Sequence, residues 1–328
     1  MDTYKSFESE LYKVNNSTFN EFALELFRYQ AVNNPLYKQY LQVLGHDYHD
    51  VTSIYQIPFL PITFFKSHTV KTGRWQEEKI FTSSGTTGNQ SQHLVQNLEF
   101  YLRNAERSFN HFFGDFSQYH FLALLPSYLE REGSSLIDMV EYFIKKTNSP
   151  YSGFYLHNHD DLIAKLEALC SSDRKVILLG VTFALLDLAE KAQLDLSHCL
   201  VMETGGMKGR RKELTRAEVH EVLTSRFNVG EVYSEYGMTE MLSQAYSMGS
   251  GLFQCPPWVK VVFRDPEDPF EHAEARKNGA INVIDLANLH TCAFIETQDQ
   301  GKMDENGYFE VIGRIDNSDI RGCNLLVG

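Results

Sequence analysis

The alternation of apolar and polar positions predicts helices in the first part of the chain. A helix is predicted after Ser17, its candidate N-cap, because five apolar residues recur at the helical period: Phe19, Phe22, Ala23, Leu26 and Phe27. A second, short helix is predicted to begin near Pro35, since proline is favoured in the first turn of a helix. We interpret residues 1–77 as a helical N-terminal cover on the main domain.

The pattern changes from about Glu78 onward, where short apolar runs alternate with helical periodicity. The runs Phe121 to Leu125 and Lys175 to Gly180 have the length and composition of buried strands. Helical patterns follow at Leu136 to Lys146, Asp160 to Leu169 and Thr182 to Ala192. Because such alternation is typical of an α/β sheet, residues 78–248 are predicted to form an α/β region.

The last part of the chain has the character of a β-rich subdomain, which we assign to residues 249–312. Turn signals, including Asn306-Gly307, separate its apolar segments. The predicted strands are Trp258 to Phe263, Ala280 to Leu286, Thr291 to Thr297 and Tyr308 to Ile312.

Composition and charge exclude several classes of protein. Among 328 residues, 43% are hydrophobic, which is enough to fill a sizeable core. The formal net charge of −13 disfavours nucleic acids and anionic membrane surfaces as partners. The first twenty residues lack an apolar signal region, and no apolar run is long enough to span a bilayer. We therefore expect a cytoplasmic protein without a transmembrane segment.

The cysteines do not indicate a disulfide framework or a zinc site. The chain has five of them, an odd number, and they are widely spaced without any CxxC pair. Reduced thiols are expected at Cys170, Cys199, Cys255, Cys292 and Cys323.

A stretch rich in hydroxyls and glycines, FTSSGTTG, occupies Phe81 to Gly88. Its glycines permit unusual backbone angles, so several N–H groups and hydroxyls can be aimed at one phosphate. An ordinary surface turn explains the same composition, and the residues alone leave both interpretations open. A Walker-type phosphate loop is disfavoured because no lysine follows Gly88.

A second motif favours the phosphate interpretation. Ser234 to Glu240 reads SEYGMTE, and with FTSSGTTG it resembles, in the same order, two signature motifs of the adenylate-forming superfamily. That superfamily includes acyl-CoA synthetases, luciferases and the adenylation domains of peptide synthetases. The resemblance implies ATP and Mg²⁺ as cofactors, and it places the loop around the ATP phosphates at Ser83, Ser84, Gly85, Thr86, Thr87 and Gly88.

The resemblance also implies roles within the second motif. Tyr236, followed by Gly237, would stack on adenine, Thr239 would bond a phosphate, and Glu240 would hold Mg²⁺. Thr239 and Glu240 are thus implied as catalytic residues, with Glu240 as the metal ligand. These roles suit the residues, because a ring offers a face for stacking and a carboxylate is a hard oxygen ligand.

Two further matches follow the family's order. The stretch Val201 to Gly206 resembles the family's segment along adenine, which implies that Gly205 and Gly206 admit the flat ring. Asp299 stands where the family binds the ribose hydroxyls, and Arg314, in GRIDN, resembles the arginine that approaches the same sugar. The implied fold is the large N-terminal domain of the adenylate-forming fold, an α/β structure with a small β-rich subdomain. The resemblance also implies that residues 78–248 bind the nucleotide and the acyl group.

The sequence also departs from the family pattern. Family members carry a mobile C-terminal domain with a catalytic lysine, whereas this chain stops at Gly328 and has no lysine beyond Lys302. We expect that domain to be missing and residues 313–328 to form a short, hinge-like tail. The Pro-Lys that follows the family's loop is also absent.

Several stretches, among them IPFLPITFFKS (Ile57 to Ser67) and TGGMKGRRKEL, resemble the long-chain acyl-protein synthetases of the LuxE type. Those proteins form acyl-AMP from a fatty acid, move the acyl group to their own cysteine near the C-terminus, and pass it to a reductase subunit. Cys323 stands in the matching place. It is either a reactive thiol or a small apolar residue packed under the last strand.

The expected function is ATP-dependent activation of a carboxylic acid, with a fatty acid as the favoured substrate, and transfer to a thiol. The acceptor is either Cys323 followed by a reductase-like protein, or coenzyme A. Two alternatives stay open: an acyl-CoA ligase of the phenylacetate type, and a non-catalytic nucleotide-binding subunit of an acyl reductase complex.

Overall fold

The computed structural model describes six ranges of the chain, residues 3–83, 90–126, 133–156, 158–205, 214–267 and 276–315. The α-helices in these ranges are α1 Thr3–Leu11, α2 Phe19–Asn33, α3 Pro35–Val43, α4 Phe64–Ser67, α5 Leu98–Phe113, α6 Ser135–Thr147, α7 His159–Ala168, α8 Thr182–Lys191 and α9 Arg216–Phe227. The strands are β1 Leu60–Pro61, β2 Lys79–Thr82, β3 Gln92–Val95, β4 Tyr119–Leu124, β5 Gly153–Tyr155, β6 Lys175–Val181, β7 Cys199–Thr204, β8 Tyr233–Tyr236, β9 Ala245–Ser247, β10 Phe253–Gln254, β11 Val259–Arg264, β12 Asn278–Asp285, β13 Phe294–Met303 and β14 Phe309–Arg314.

The chain folds into two compact units, and each unit combines segments that are separate in the sequence. The first unit contains Met1–Ala105, Gly237–Gln244 and Cys255–Ile315. The second unit contains Glu106–Tyr236 and Ala245–Gln254. The boundary at Ala105 falls within α5.

The first unit is built on the antiparallel strands β11, β12, β13 and β14, each paired with the next. The short strand β1 adds to β13 in parallel, and β2 pairs with β3 as a separate hairpin. The N-terminal helices pack on β13 through aromatic rings, since the ring centres of Phe27 and Tyr37 lie 5.8 Å and 6.4 Å from that of Phe294. These aromatic contacts fix the N-terminal helices to the sheet.

The second unit contains the predicted α/β sheet. Its strands lie in the order β10-β9-β8-β7-β6-β4-β5, and those from β8 to β5 are parallel. The helices α6, α7, α8 and α9 lie between successive parallel strands along the chain, as parallel pairing requires. The predicted alternation of strands and helices is confirmed.

The core of the second unit consists of buried strand residues and a cluster of aromatic rings. Val176, Ile177 and Leu178 of β6 are fully buried, as expected for a parallel strand covered on both faces. Phe109 of α5 stacks on Phe116 with ring centres 4.2 Å apart, within an aromatic cluster that includes Phe113, Tyr119, Phe121, Phe143 and Tyr246. Each fully buried ring contributes about 2 kcal/mol of hydrophobic stabilisation.

The helix beginnings differ in part from the predicted ones. The helix α2 starts at Phe19 with Thr18 at the N-cap, so the assignment of Ser17 as its cap is wrong. The backbone N–H and the hydroxyl of Ser17 both bond the Asn15 side chain instead. The helix α3 begins at Pro35 as predicted. Within the described ranges, no helix has the length and apolarity that crossing a membrane requires.

Candidate active site

The carboxyl ends of the parallel strands in the second unit carry two of the predicted residues. Gly205 follows β7 directly and is exposed, with a left-handed φ of 72° that glycine adopts without strain. Tyr236 is the last residue of β8, and its ring centre lies 5.7 Å from that of Phe253. Ligands of open α/β sheets bind at such strand ends, so both residues occupy a suitable place.

A buried glutamate supports the end of β7. Glu203 pairs with Arg216 of α9 at 3.2 Å and with His220 at 3.8 Å. Burial would raise the pKa of Glu203, but the hydrogen bond with His220 and the charge of Arg216 hold it below its usual range. The hydroxyl of Thr182 donates to Glu203 Oε2 at 2.9 Å and also lies 3.3 Å from the Gly205 carbonyl. The Glu203 cluster therefore fixes the backbone where Gly205 begins the turn.

A second glutamate, the half-buried Glu235, is the β8 partner of Thr204 in the register, and its pKa is shifted in the opposite direction. Glu235 accepts a short hydrogen bond from the hydroxyl of Thr204. Burial, together with the negative charge of Glu203, raises the pKa of Glu235 to about 7. The two neighbouring strands thus carry one carboxylate with a lowered pKa and one carboxyl that is about half protonated at pH 7.

In the first unit, the hairpin of β2 and β3 brackets the loop motif. The Ser83 N–H donates to the Ser91 carbonyl at 3.1 Å, and the Ser91 N–H donates to Ser83 Oγ at 2.9 Å. Ser83 is thereby fixed at the base of the loop. Several predicted residues lie outside the described ranges, namely Ser84, Gly85, Thr86, Thr87, Gly88, Gly206 and Cys323.

Thr239 and Glu240 lie together in the segment Gly237–Gln244 of the first unit, which begins at the exposed residue Gly237. The Glu240 side chain is only 5% exposed. Burial raises the pKa of Glu240, and this effect is opposed by a hydrogen bond from the Ser91 side chain and by the charges of Arg314 and Lys66. The Glu240 carboxyl is thus buried where the positive charges of Arg314 and Lys66 act on it.

Buried side chains hold the backbone that follows Glu240. The Asp285 carboxylate accepts four hydrogen bonds, from the backbone of Leu242, the backbone and hydroxyl of Ser243, and the backbone of Ala287, at 2.7 to 3.1 Å. The amide of Asn288 donates to the Glu240 carbonyl at 2.9 Å. Side-chain acceptors and donors therefore determine the course of this segment.

Asp299 and Arg314 are direct cross-strand partners on β13 and β14. Arg314 Nε lies 3.5 Å from Asp299 Oδ1, and the arginine side chain is 51% exposed. The register shifts between Gln300 and Gly301, next to this pair. An acceptor carboxylate beside an exposed guanidinium suits a ligand that has both hydroxyls and phosphates.

The described residues of the first unit offer few ligands for a magnesium ion. Within the described residues, no group of three or more His, Cys, Asp or Glu side chains is arranged to hold a metal. Mg²⁺ commonly takes only one or two carboxylates and completes its shell with water and substrate phosphates. Glu240 could supply one such carboxylate to a Mg²⁺ ion that arrives with a nucleotide.

The sequence pattern did not identify several of these residues. Glu203 and Asp285 interrupt apolar strand runs, and a charged residue in such a run signals a buried polar cluster. His93 donates from its ring to the Thr239 carbonyl at 2.8 Å, across 146 positions of sequence. Lys66 stands in the quoted stretch IPFLPITFFKS, but nothing in that stretch indicates its closeness to Glu240.

Comparison with solved structures shows the fold. The chain is similar to ATP-bound MatB from Rhodopseudomonas palustris, with a TM-score of 0.55 and 19% identity over 72% of this chain and 47% of MatB. It is similar to MenE from Bacillus subtilis in complex with ATP and a magnesium ion, with a TM-score of 0.52 and 17% identity over 74% of this chain and 51% of MenE. It is also similar to 2-hydroxyisobutyryl-CoA ligase in complex with 2-HIB-AMP and CoA, with a TM-score of 0.67 and 13% identity over 94% of this chain and 71% of the ligase.

These similarities define the structural class as the N-terminal domain of the adenylate-forming fold. The chain spans about half the length of MatB and MenE. No family model matches the sequence, and no curated protein matches it.

Proposed function

We propose that the protein activates a carboxylic acid with Mg·ATP to form acyl-AMP and then passes the acyl group to a thiol. The observation that carries the proposal is the buried carboxyl of Glu240, under the charges of Arg314 and Lys66, in a chain with this fold. A buried carboxyl with nearby cations is typical of a functional site. The order of the sequence motifs supports the same chemistry.

In the first step, a carboxylate oxygen of the acid attacks the α-phosphorus of ATP. The new oxygen–phosphorus bond forms while the bond to the leaving pyrophosphate breaks. Catalysis consists of holding the reactants in line and stabilising the developing charge. Thr239 would bond a phosphate oxygen, Tyr236 would stack on adenine, and Asp299 would accept hydrogen bonds from the ribose hydroxyls.

Glu240 would hold the magnesium ion. When bound, Mg²⁺ supplies positive charge to the phosphate oxygens. Burial raises the pKa of the Glu240 carboxyl, and a cation nearby favours its charged form. Lys66 and Arg314 supply part of that positive charge from the chain itself.

In the second step, a thiolate attacks the acyl carbon and AMP leaves. We propose Cys323 as the first acceptor and a long-chain fatty acid as the substrate, on the strength of the resemblance to acyl-protein synthetases of the LuxE type. Burial raises the pKa of Cys199, Cys255 and Cys292 to about 12, which makes each a poor nucleophile. The acyl group would then pass to a reductase-like partner protein.

Coenzyme A is the second candidate acceptor. One structure with the same fold, that of 2-hydroxyisobutyryl-CoA ligase, contains CoA together with 2-HIB-AMP. In this case the protein would act as an acyl-CoA ligase, and thioester formation would require added CoA. The first step and its residues would be unchanged.

The test is the release of pyrophosphate from Mg·ATP in the presence of a panel of carboxylic acids. Glu240→Gln keeps the size of the side chain and removes the charge, so release is expected to fall by about 100-fold. Glu305→Gln, which makes the same change at an exposed turn of the first unit, is the matched control. Equal release by wild type and Glu240→Gln would refute the role of Glu240, and no release by wild type with any acid would refute the activity.

A further inference from the structure

Thr239 is tied to the rest of the first unit by a buried histidine that the adenylation chemistry does not itself require. The His93 ring on β3 is 1% exposed. Its Nδ1 lies 2.8 Å from the Thr239 carbonyl oxygen, and its Nε2 lies 3.1 Å from Thr291 Oγ1. Phe65 packs against the ring edge to face, with centres 5.8 Å apart. The ring thus bridges two backbone segments inside the unit.

The chemistry of these partners fixes the direction of each hydrogen bond. A carbonyl oxygen only accepts, so Nδ1 carries the proton. Burial, opposed in part by the bond to Thr239, lowers the pKa of His93 to about 4, and the ring is neutral at neutral pH. Nε2 is therefore an acceptor, and the Thr291 hydroxyl donates to it.

The far end of this connection is anchored at the start of α3. The Thr291 carbonyl accepts from the Asn34 amide at 3.0 Å and from the Thr72 hydroxyl. Asn34 also caps α3, because its Oδ1 accepts the N–H of Tyr37 at 3.1 Å. Asn34 and Thr72 are fully buried and Thr291 is 1% exposed, so water does not compete for these bonds.

We propose that His93 is a positioning residue for Thr239 and Glu240, and that its neutral ring, with Nδ1 protonated, joins them to Thr291, Thr72 and Asn34. This inference rests on the proposed function, in which Thr239 and Glu240 touch the phosphates and the metal. The ring holds the carbonyl immediately before Glu240, while Asn288 holds the carbonyl of Glu240 itself. Losing a partner that orients metal or substrate ligands typically costs 10- to 100-fold in affinity or activity.

Three substitutions separate the hydrogen bond from the packing. His93→Phe keeps an aromatic ring against Phe65 and removes both hydrogen bonds. His93→Asn places an amide nitrogen where Nδ1 stood and keeps the bond to Thr239. His93→Gln places its amide at the position of Nε2 and loses that bond.

The matched control is His120→Phe in the second unit. His120 is also buried, at 5% exposure, and its ring nitrogens lie 2.7 Å from Ser149 Oγ and 2.8 Å from Ser172 Oγ. The His120→Phe variant therefore loses a comparable pair of hydrogen bonds in the unit that does not contain Thr239.

The first readout is the concentration of Mg·ATP that half-saturates pyrophosphate release. His93→Phe is expected to raise it by about 10- to 100-fold. His93→Asn is expected to lie closer to wild type than His93→Gln, and His120→Phe to leave the value within about threefold, a range that is below the cost of losing a positioning residue. Equal effects of His93→Phe and His120→Phe, or better function of His93→Gln than of His93→Asn, would overturn the proposal.

The second readout needs no activity, so it distinguishes failure of this proposal from failure of the proposed function. Nitrogen-15 NMR of histidine-labelled protein reports which ring nitrogen carries the proton. Protonated Nδ1 and bare Nε2 are expected at His93, with faster amide exchange at Leu242 and Ser243 in His93→Phe. A ring with protonated Nε2, or unchanged exchange in the variant, would overturn the proposal even in a protein that forms acyl-AMP.

Discussion

Replacing Asp285 by asparagine tests whether side chains hold the segment after Glu240. The two carboxylate oxygens of Asp285 accept four hydrogen bonds, two at each oxygen. An asparagine amide keeps one oxygen and turns an NH₂ group toward the other two donors. Each buried donor left without an acceptor costs about 1–3 kcal/mol, so the two together cost about 4 kcal/mol. That is a large part of the 5–15 kcal/mol that typically separates folded from unfolded protein.

The assay is urea unfolding followed by tryptophan fluorescence. The chain has two tryptophans, Trp75 and Trp258, and both lie in the first unit, so the signal reports on the unit that contains Asp285. Trp258 Nε1 even bonds Ser243 Oγ at 3.1 Å. Asp50→Asn, at an exposed position of the same unit, is the control. A loss below about 1 kcal/mol in Asp285→Asn, no more than one ordinary hydrogen bond contributes, would refute this account of the segment.

Three further substitutions test other features. Because burial raises the pKa of Glu235 from 4.5 to about 7, the folded state binds the extra proton, and stability from this group is lost as the pH rises through 7, by up to about 3 kcal/mol. Glu235→Gln should lack that loss when urea unfolding is compared at pH 5 and pH 8, and an unchanged pH dependence would contradict the assignment. Gly301→Ala would bring its Cβ to 2.4 Å from the Glu310 carbonyl oxygen, so it should destabilise the protein by more than about 2 kcal/mol in thermal melts. Gly230→Ala, whose Cβ would have no atom within 4 Å, is the control and should be nearly neutral in the same measurement; equal effects of the two variants would contradict the argument. Thr215→Ala removes the N-cap of α9 and should cost about 1 kcal/mol in urea unfolding, and an unchanged midpoint would show that the cap contributes nothing.

Much of the fold could be predicted from the pattern of apolar residues. The patterns at Thr182 to Ala192 and Lys175 to Gly180 match α8 and β6 within one residue. Their apolar residues are buried, so periodicity and burial agree. The helix α9 buries only Val219, Leu223 and Phe227, so its apolar pattern is too weak to predict a helix.

The predicted site residues come from motifs whose members are close in sequence. The motif SEYGMTE contains Tyr236, Thr239 and Glu240, but these residues belong to different units. Tyr236 lies in the second unit, whereas Thr239 and Glu240 lie in the first. The bond between His93 and Thr239 spans 146 positions, and no local pattern encodes it. Hydrogen bonds of this kind depend on tertiary packing, which a propensity argument does not include.

The pKa shifts of Glu203 and Glu235 could likewise not be predicted from the sequence. Glu203 and Glu235 are both the last residue but one of their strands, and the sequence offers no reason to treat them differently. Their pKa values move in opposite directions because Arg216 and His220 of α9 lie beside Glu203, whereas Thr204, a neutral group, is the partner of Glu235. The position of one helix therefore decides which carboxyl has the lowered pKa.

The most direct test of the proposed function is the intact mass of the protein after incubation with Mg·ATP and a mixture of fatty acids, without coenzyme A. We predict pyrophosphate release and an acyl adduct that is labile to hydroxylamine and maps to Cys323. Cys323→Ser should release pyrophosphate without the adduct, and Cys170→Ser, at an exposed thiol, should behave as wild type. Pyrophosphate release with an unmodified mass would move the acceptor to coenzyme A. No consumption of ATP with any acid would contradict the account.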